Sequence, residues 1–401
     1  MQAAIKRGNH VSAKQPDAVA AYQVEIAEKI KKGQARVVLW DDIKDNPPKQ
    51  LKISPLAMVP HKSRIFCAIL DLSFSLRMST HYIPSVNEST DKVSPDETLD
   101  QMGTVLPRVI AAVAQTAEDE VVYFAKYDIK DGFWRLECEE GAEYNFAYVM
   151  PQEEGQPVKL VVLTSLQMGW TESPSYFNTA SETARDVADE YTKADELEEH
   201  YLEEWTKITD EYKTLPPGRL SLALAHCFEV YVDDFIAVAV PHSEEDLNHL
   251  SRALLHAIRD MFSASQEEPK EDSVALKKLK KMDGAWAVRK DILGWVLDGK
   301  AKTMELTEEK KDELMRLTTQ ALRAKQGVPF NKFEKILGKM RRASQGIPGS
   351  ERSDQIRHSI ECWEGSLELC GSRKVEHWWQ RCATGARYPR THQASQHTST
   401  N

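Results

Sequence analysis

Two adjacent aspartates lie in the middle of an apolar stretch of the sequence. Asp233 and Asp234 interrupt the run FEVYVDDFIAVAV, which extends from Phe228 to Val240. A buried carboxylate without a partner costs several kcal/mol, so such groups are usually paired with a cation or bound to a metal. The β-branched and aromatic residues on both sides predict two short strands, with the acidic pair in the tight turn between them.

A third carboxylate follows another predicted strand, upstream of this pair. Asp128 ends the apolar run VVYFAKYD, so its side chain should emerge at the rim of a sheet. Carboxylates that converge on one edge repel each other, and this oxygen-only environment suits Mg²⁺, with Mn²⁺ as an alternative. Two such ions would activate an attacking hydroxyl and stabilise a leaving pyrophosphate. The pattern therefore predicts Asp128, Asp233 and Asp234 as catalytic residues and metal ligands.

The elements around these carboxylates alternate between strand and helix. A strand before Asp128, a helix after Pro174, the aspartate hairpin and a helix opened by Ser243 follow each other along the chain. This order is typical of a split βαβ unit with a ferredoxin-like sheet, and it predicts an α+β fold. An amphipathic helix is also predicted over LDQMGTVLPRVIAAVAQTA, interrupted at Pro107.

Composition and cysteine usage limit the classes of protein to which the chain can belong. The chain has 401 residues, of which 41% are hydrophobic and 28% charged, as in globular proteins of two or three structural units. It contains no apolar run of about 18 residues and no apolar core of a secretory signal at its N-terminus. Its six cysteines form no CxxC pair, which favours reduced thiols and an intracellular location. The sequence does not distinguish the cytoplasm from the nucleus.

Charge is distributed unevenly along the chain, whose net charge is −10. Residues 181–213 contain 12 acidic and 4 basic residues, a balance of −8. Residues 270–302 contain 9 basic and 5 acidic residues (+4), and residues 332–390 contain 12 and 7 (+5). The later third is therefore basic, as a surface that contacts a nucleic-acid backbone would be, although each run also fits a solvated charged helix.

Five segments resemble reverse transcriptases of retroviruses and retrotransposons, and their order along the chain agrees with the order in that family. YVDD resembles their aspartate hairpin, YDIKDGFWRL their first aspartate motif, and LQMGWTESPSYFN the motif at their deoxynucleotide site. HKSRIFCAILDLSF is similar to the fingers strands, and ILGWVLD to the primer-grip hairpin. The matches span about residues 50–300. The chain is thus similar to the polymerase core of a retroelement reverse transcriptase, an RNA-directed DNA polymerase, without a ribonuclease H domain.

The resemblance implies a right-hand polymerase with fingers, a palm and a helical thumb-like region. Together with the residue pattern, it predicts an N-terminal helical extension (1–50), fingers and palm (51–300) with a solvated acidic helical insertion at about 181–220, a thumb-like region (301–350) and a weakly ordered tail (351–401). The implied partners are an RNA or DNA template with its primer and deoxynucleoside triphosphates. No membrane partner is implied, and the oligomeric state is not determined. The tail lacks the strand pattern of a ribonuclease H, which suggests a fragment or an early end of the reading frame.

The resemblance also assigns substrate contacts to individual residues. An aromatic residue at Phe133 would crowd a ribose 2′-hydroxyl and favour deoxynucleotides, although a packing role is the alternative. A lysine in KKLKK, with Lys281 as one candidate, would protonate the pyrophosphate, and Trp295 would support the primer or simply pack. The remaining predicted contacts are Lys62 and Arg64 to the triphosphate, Met168 and Gly169 to the nucleotide and template, and Tyr231 to the primer terminus.

One departure from the family opens an alternative function. Cys67 stands where relatives usually carry an arginine, and a neutral thiol cannot clamp a triphosphate as a guanidinium does. The alternative is a catalytically impaired relic or a domesticated nucleic-acid-binding protein that keeps the fold. A polymerase that makes RNA is a further alternative, which Phe133 disfavours.

Overall fold

The computed structural model has a mixed α/β architecture with small antiparallel sheets. It describes residues 1–60, 65–79, 81–93, 96–151, 155–209, 215–221, 224–263, 273–324, 328–344 and 386–387. The helices are α1 (Gln2–Arg7), α2 (Pro16–Lys31), α3 (Trp40–Ile43), α4 (Asp96–Ala114), α5 (Ser173–Tyr191), α6 (Glu244–Phe262), α7 (Leu276–Leu279), α8 (Glu308–Leu322) and α9 (Phe330–Ser344). The strands are β1 (Ala35–Leu39), β2 (Leu56–Pro60), β3 (Phe66–Leu70), β4 (Leu76–Arg77), β5 (Tyr82–Ile83), β6 (Tyr123–Asp128), β7 (Ala147–Val149), β8 (Lys159–Leu163), β9 (Ala225–Tyr231), β10 (Asp234–Val240), β11 (Arg289–Ile292), β12 (Trp295–Asp298), β13 (Thr303–Leu306) and β14 (Ala386–Arg387).

The chain forms two compact units, each made of three segments. The first unit comprises Met1–Leu99, Ile129–Ser181 and Met261–Ser273. The second unit comprises Asp100–Asp128, Glu182–Asp260 and Val274–Asn401. All three predicted catalytic aspartates belong to the second unit.

The first unit is built on a three-stranded antiparallel sheet of order β1-β8-β7 and on the hairpins β2–β3 and β4–β5. Its main core includes Tyr22, Met58 and Val161, and the hydroxyls of Tyr22 and Tyr148 lie 3.0 Å apart inside it. The N-terminal residues were predicted to be helical, which is correct for α1 and α2. Strand β1 was missed: its sequence ARVVL is short but β-branched, and it pairs along its whole length with β8.

The second unit is built on the three-stranded antiparallel sheet β6-β10-β9, in which β10 is the central strand. A four-stranded antiparallel sheet, β11-β12-β13-β14, belongs to the same unit. Val105, Val109 and Val113 of α4 are buried in one core with Phe124 of β6 and Ile236 of β10. This core holds the two strands that carry the aspartates.

The prediction that Pro107 interrupts helix α4 is wrong. The helix continues through this residue from Asp96 to Ala114. A proline inside a helix removes one backbone hydrogen bond, at a cost of about 3 kcal/mol. The valines on both sides of Pro107 are completely buried, and their burial offsets that cost because each contributes roughly 1.5–3 kcal/mol.

The acidic segment at about 181–220 is not the solvated helical insertion that the sequence predicted. Helix α5 ends at Tyr191, and the described residues that follow, up to Thr209, form turns and one short 3₁₀ helix over Glu203–Trp205. Glu203 is buried and accepts a hydrogen bond from Arg252 of α6 at 2.8 Å. The imidazole of His256, also on α6, donates to a carbonyl of the segment at 2.8 Å. These buried contacts hold the segment to α6, and a continued helix would not present its polar groups to them.

Some predictions concern residues outside the described ranges. The basic turn with Lys62 and Arg64 is among them, and so is the tail at 351–401 apart from residues 386–387. In the part of the chain that the structure describes, no helix is both long and apolar enough to cross a membrane.

Candidate active site

The aspartate pair lies in a two-residue hairpin turn. Tyr231, the last residue of β9, pairs with Asp234, the first residue of β10, so that Val232 and Asp233 form the turn. Val232 has a φ of 59°, a left-handed conformation that is rare for a β-branched residue and costs of order 1–3 kcal/mol. The turn therefore holds Asp233 at its tip with a strained residue where glycine would be the easier choice.

Asp128 lies directly opposite Asp234 in the sheet. It is the last residue of β6, and β6 pairs with β10 in antiparallel register so that these two aspartates are partners. Residues directly opposite in an antiparallel pair project from the same face, with Cβ atoms about 4.5–5.5 Å apart. The structure thus brings Asp128, Asp233 and Asp234 together at one edge of the sheet.

The environment of the aspartate pair disfavours the charged forms of Asp233 and Asp234. Asp128 is buried, with 8% of its surface exposed. Burial, followed by the charge of Asp128, raises the pKa of Asp233. Burial raises the pKa of Asp234 to about 6, because the neighbouring charge of Lys126, which lowers it, only partly offsets the effects of burial and of the other two aspartates. The edge therefore carries negative charge that the protein does not fully neutralise.

Two lysines accompany the acidic cluster. The ammonium of Lys278, from the short helix α7, forms an ion pair with Asp128. Burial lowers the pKa of Lys278, but its hydrogen bond and charge attraction to Asp128 outweigh this, and the net shift is upward. Lys126, two residues before Asp128 on β6, pairs with Asp283 at 3.6 Å. Sequence reasoning missed Lys126 and could not separate Lys278 from its neighbours in KKLKK.

The donor set suits a divalent cation. Asp128, Asp233 and Asp234 offer only carboxylate oxygens, the ligands that Mg²⁺ prefers, and burial, together with the charges of the neighbouring aspartates, raises the pKa of Asp233 and of Asp234. Among the described residues, however, no group of three His, Cys, Asp or Glu side chains is already arranged around a common metal position. The residues fit the cation chemically, and Asp128 is engaged by Lys278 instead.

Phe133 lies in the first unit, in a 3₁₀ turn over Gly132–Arg135. Its half-buried ring stacks on the fully buried ring of Phe177, with centroids 4.7 Å apart and planes inclined by 28°. A Cβ atom on Gly132 would lie 2.6 Å from Phe177 Cζ, so this position requires glycine. The stack fixes the orientation of Phe133, and one part of the ring stays accessible.

Met168 and Gly169, also in the first unit, follow β8. Met168 is 76% exposed, and Gly169 has a φ of 99°, which a side chain would strain. The carbonyl of Gly169 accepts a hydrogen bond from Asn87 Nδ2 at 2.9 Å, and Asn87 Oδ1 accepts another from Thr171 N at 3.1 Å. Asn87 thus fixes the loop and leaves the methionine side chain open to solvent.

The remaining predicted contacts have packing partners. Tyr231 is half-buried and packs on the core of the second unit. Trp295 is 4% exposed inside the same core, so of its two predicted roles the structure places it in packing. Lys281 is exposed, and it is Lys278 that meets Asp128.

Comparison with known proteins gives a match in structure and none in sequence. No protein-family profile and no curated protein matches the amino-acid sequence. A foamy viral protease–reverse transcriptase (the dRH form) solved in complex with double-stranded DNA superposes with a TM-score of 0.55 at 16% identity. The match covers 96% of this chain and 50% of that protein. A second foamy viral protease–reverse transcriptase, solved with double-stranded DNA, gives a TM-score of 0.49 at 16% identity over 97% of this chain and 61% of that one.

The fold is reverse-transcriptase-like. The first superposition includes nearly the whole chain, and its low identity makes it a statement about the fold. The chain spans about half the length of that viral protein. The resemblance seen in the sequence is therefore confirmed at the level of a polymerase-like fold.

The raised pKa of Asp234 has a consequence for stability in the absence of metal. Its folded-state pKa of about 6 exceeds the ordinary value of 3.8, so ionisation of this carboxyl opposes folding. We expect Asp234→Asn to raise the melting temperature above pH 6, where the carboxylate is charged in both states. The gain should disappear below the unfolded-state pKa of 3.8, where the wild-type carboxyl is protonated in both states. Thermal melts of both proteins in a chelator, across about pH 3.5–8, measure the difference in melting temperature between Asp234→Asn and the wild type.

An exposed carboxylate of the same unit provides the control. Asp291 on β11 is exposed, and Asp291→Asn should leave the melting temperature nearly unchanged at every pH. A pH-independent effect of Asp234→Asn, or a loss of stability above pH 6, would contradict the expected charge penalty.

Proposed function

We propose that this chain is an RNA-directed DNA polymerase of a retroelement, a nucleotidyltransferase that extends a primer with deoxynucleotides. The observation that carries the proposal is the register of the central sheet, in which Asp128 is opposite Asp234 and next to the turn that holds Asp233. Such a carboxylate edge, within a reverse-transcriptase-like fold, is suited to phosphoryl transfer assisted by two metal ions.

Each group at this edge has a distinct task in the proposed reaction. Asp128, Asp233 and Asp234 would hold Mg²⁺ or Mn²⁺, which when bound would activate the primer 3′-hydroxyl and neutralise charge on the phosphates. The strained turn at Val232 keeps Asp233 at the tip of the hairpin. Tyr231 packs on the core and stabilises the position of the hairpin. In the proposed reaction it would contact the primer terminus.

The contacts with the incoming nucleotide are assigned to the first unit. Phe133, held by its stack on Phe177, would exclude a 2′-hydroxyl. The exposed Met168 and the loop at Gly169 would contact the nucleotide and template. Lys62 and Arg64 would bind the triphosphate. This assignment corresponds to a right-hand layout of fingers, palm with a split βαβ sheet, and a thumb-like pair of helices α8 and α9.

A template and primer are the proposed macromolecular partners. The viral protein with the similar fold was solved with double-stranded DNA, and the later third of this chain is basic. A surface that neutralises phosphates would bind either an RNA–DNA hybrid or a DNA duplex, mainly through charge.

A second candidate function is nucleic-acid binding by a catalytically impaired relic. Cys67 on β3 favours it, since the residue is half-buried, faces Val59 in register and carries no charge for a triphosphate. Primer extension on an RNA template with Mg²⁺ and deoxynucleotides separates the two functions. The relic would bind the primer–template and leave the primer unextended.

We expect binding of a primer–template to weaken steeply with salt, because Lys and Arg side chains displace counterions from phosphates. The logarithm of the affinity should fall with the logarithm of salt concentration by roughly 0.9 per phosphate contact for B-form DNA. Charge reversal in the segment GKMRRASQG, for example at the exposed Arg342 of α9 (Arg342→Glu), should lower that slope by roughly 0.9, the contribution of one phosphate contact. Fluorescence anisotropy across a salt series measures the slope.

A charge reversal on the first unit serves as the control. Lys31 is an exposed residue of α2, and Lys31→Glu makes the same change in net charge. An equal reduction of the slope in both variants would assign the salt dependence to overall charge and would contradict a binding surface on α9.

A further inference from the structure

The segment that carries Lys278 is tied by its backbone to the strand that ends in Asp128. Ala275 N donates to the carbonyl of Asp128 at 2.8 Å. At the other end, Asp283 N donates to the carbonyl of Lys278 at 3.3 Å, and Lys126 N donates to the carbonyl of Asp283 at 3.1 Å. Helix α7 is therefore fixed against β6 by hydrogen bonds on both sides of Lys278, and the position of this lysine is set by the fold.

Only one of the four lysines in KKLKK meets the acidic cluster. Leu279 is 1% exposed and sets the inner face of the short helix. Lys277 and Lys281 are exposed, and the Lys280 ammonium lies 5.2 Å from the ring centroid of Trp205. Lys278 pairs with Asp128 while 48% of its side chain stays exposed, so its ammonium can leave the carboxylate without any change in the core.

The ion pair and a divalent cation require the same carboxylate. Asp128 has a side chain that is 8% exposed, and an ionised carboxylate buried to this degree is costly without a positive partner. An ammonium and a metal ion on the same buried oxygens would repel each other strongly. One must leave when the other binds.

We propose that Lys278 is a tethered counter-ion, which neutralises Asp128 in the metal-free protein and is displaced when a divalent cation binds. The inference rests on the proposed function for the identity of the cation site. It has two consequences. Lys278 lowers the affinity of the site for a metal ion alone, and its displaced ammonium becomes available to an anionic group such as a nucleotide phosphate. Metal and nucleotide should then bind cooperatively, because the nucleotide offers the lysine a new partner.

Metal binding without nucleotide or primer tests this competition directly. Titration with Mn²⁺, followed by the electron paramagnetic resonance signal of the free ion, gives the dissociation constant of each variant. Lys278→Met should tighten binding by roughly threefold to tenfold, as expected for removal of a competing ion pair. The matched control is Lys277→Met, which removes the same charge from an exposed neighbour and should change the constant by less than about twofold. Asp128→Asn identifies the part of the binding that belongs to this site.

Thermal melting supplies an independent readout. In a chelator, Lys278→Met should melt below Lys277→Met, because Asp128 loses its only described ion-pair partner. Saturating Mg²⁺ should remove the difference, because the cation then neutralises the carboxylate in both variants. A second substitution, Lys278→Arg, keeps the ion pair and should retain the stability of the wild type in the chelator.

The outcomes distinguish this inference from the proposed function. Equal Mn²⁺ affinity in Lys278→Met and Lys277→Met, weaker affinity in Lys278→Met, or no Mn²⁺ binding that depends on Asp128 would overturn the counter-ion role. Tighter Mn²⁺ binding in Lys278→Met together with no primer extension by the wild type would support the counter-ion role and overturn the polymerase. Primer extension by the wild type, together with equal Mn²⁺ affinity in Lys278→Met and Lys277→Met, would support the polymerase and overturn the counter-ion role.

Discussion

Asp128→Asn should abolish primer extension on an RNA template, with a loss of at least about a thousandfold in the single-turnover rate. Asparagine keeps the shape of the side chain and removes the charge, so the edge would bind a metal ion poorly and the charge that develops on the phosphates would lose its stabilisation. The effect should be large because Asp128 is the partner of Asp234 across the sheet and is itself buried. Quenched-flow measurement of the first nucleotide added, at saturating enzyme, gives the rate.

The folded state of the variant must be checked in the same experiment. Asp128→Asn also removes the ion pair with Lys278, so circular dichroism and thermal melting are needed to show that the protein remains folded. Asp291→Asn, at an exposed site on β11, should retain the rate of the wild type within about twofold. A folded Asp128→Asn protein that extends primers at more than about a tenth of the wild-type rate would refute the metal-binding role.

Phe133→Val should raise the incorporation of ribonucleotides relative to deoxynucleotides by about tenfold to hundredfold. An extra hydroxyl against a packed ring costs typically 1–3 kcal/mol, and valine would relieve it. The ring is held in one orientation by its stack on Phe177, so it cannot easily turn away from a 2′-hydroxyl. The relevant quantity is the ratio of kcat/KM for the two nucleotides, since either rate alone also reflects lost packing.

An aromatic residue elsewhere in the first unit provides the control. Tyr82 on β5 is 47% exposed and lies outside the motifs that resemble the nucleotide site, and Tyr82→Val should leave the nucleotide ratio unchanged. If the ratio stays constant in a folded Phe133→Val protein that still extends primers, Phe133 is a packing residue. The preference for deoxynucleotides would then lie in other residues.

The acidic edge could be predicted from sequence because its geometry follows from local pattern. A strand that ends in Asp128 and a hairpin that carries Asp233 and Asp234 must present carboxylates at strand ends. The exact partnering of Asp128 with Asp234 could not be predicted, since register depends on which residues of two distant strands face one core.

The amino-acid sequence alone does not identify Lys278 as the lysine of the site. Four lysines in five residues give no periodicity, and only Leu279 defines the inner face of a four-residue helix. The position of Lys278 depends on tertiary hydrogen bonds to β6, in which Ala275 N donates to the carbonyl of Asp128 and the carbonyl of Asp283 accepts from Lys126 N, and no local pattern reveals them.

Tertiary contacts also override local rules elsewhere. Pro107 predicts an interruption of the helix, yet the buried valines of α4 keep it continuous. The acidic segment after Tyr191 reads as helix, yet Glu203 and its partner Arg252 hold it as turns against α6. In both cases burial outweighs helix propensity, which costs about 3 kcal/mol for a proline and less than about 1 kcal/mol for ordinary residues.

Addition of a single nucleotide by the wild-type protein tests the polymerase proposal most directly. The protein is mixed with a DNA primer annealed to an RNA template, Mg²⁺ and one deoxynucleotide at a time, and the primer length is read on a sequencing gel. We expect extension by one residue with the deoxynucleotide complementary to the template, and no extension in a chelator. A primer–template that is bound, as judged by anisotropy, and remains unextended with every deoxynucleotide in Mg²⁺ and in Mn²⁺ would contradict the proposal and favour the nucleic-acid-binding relic.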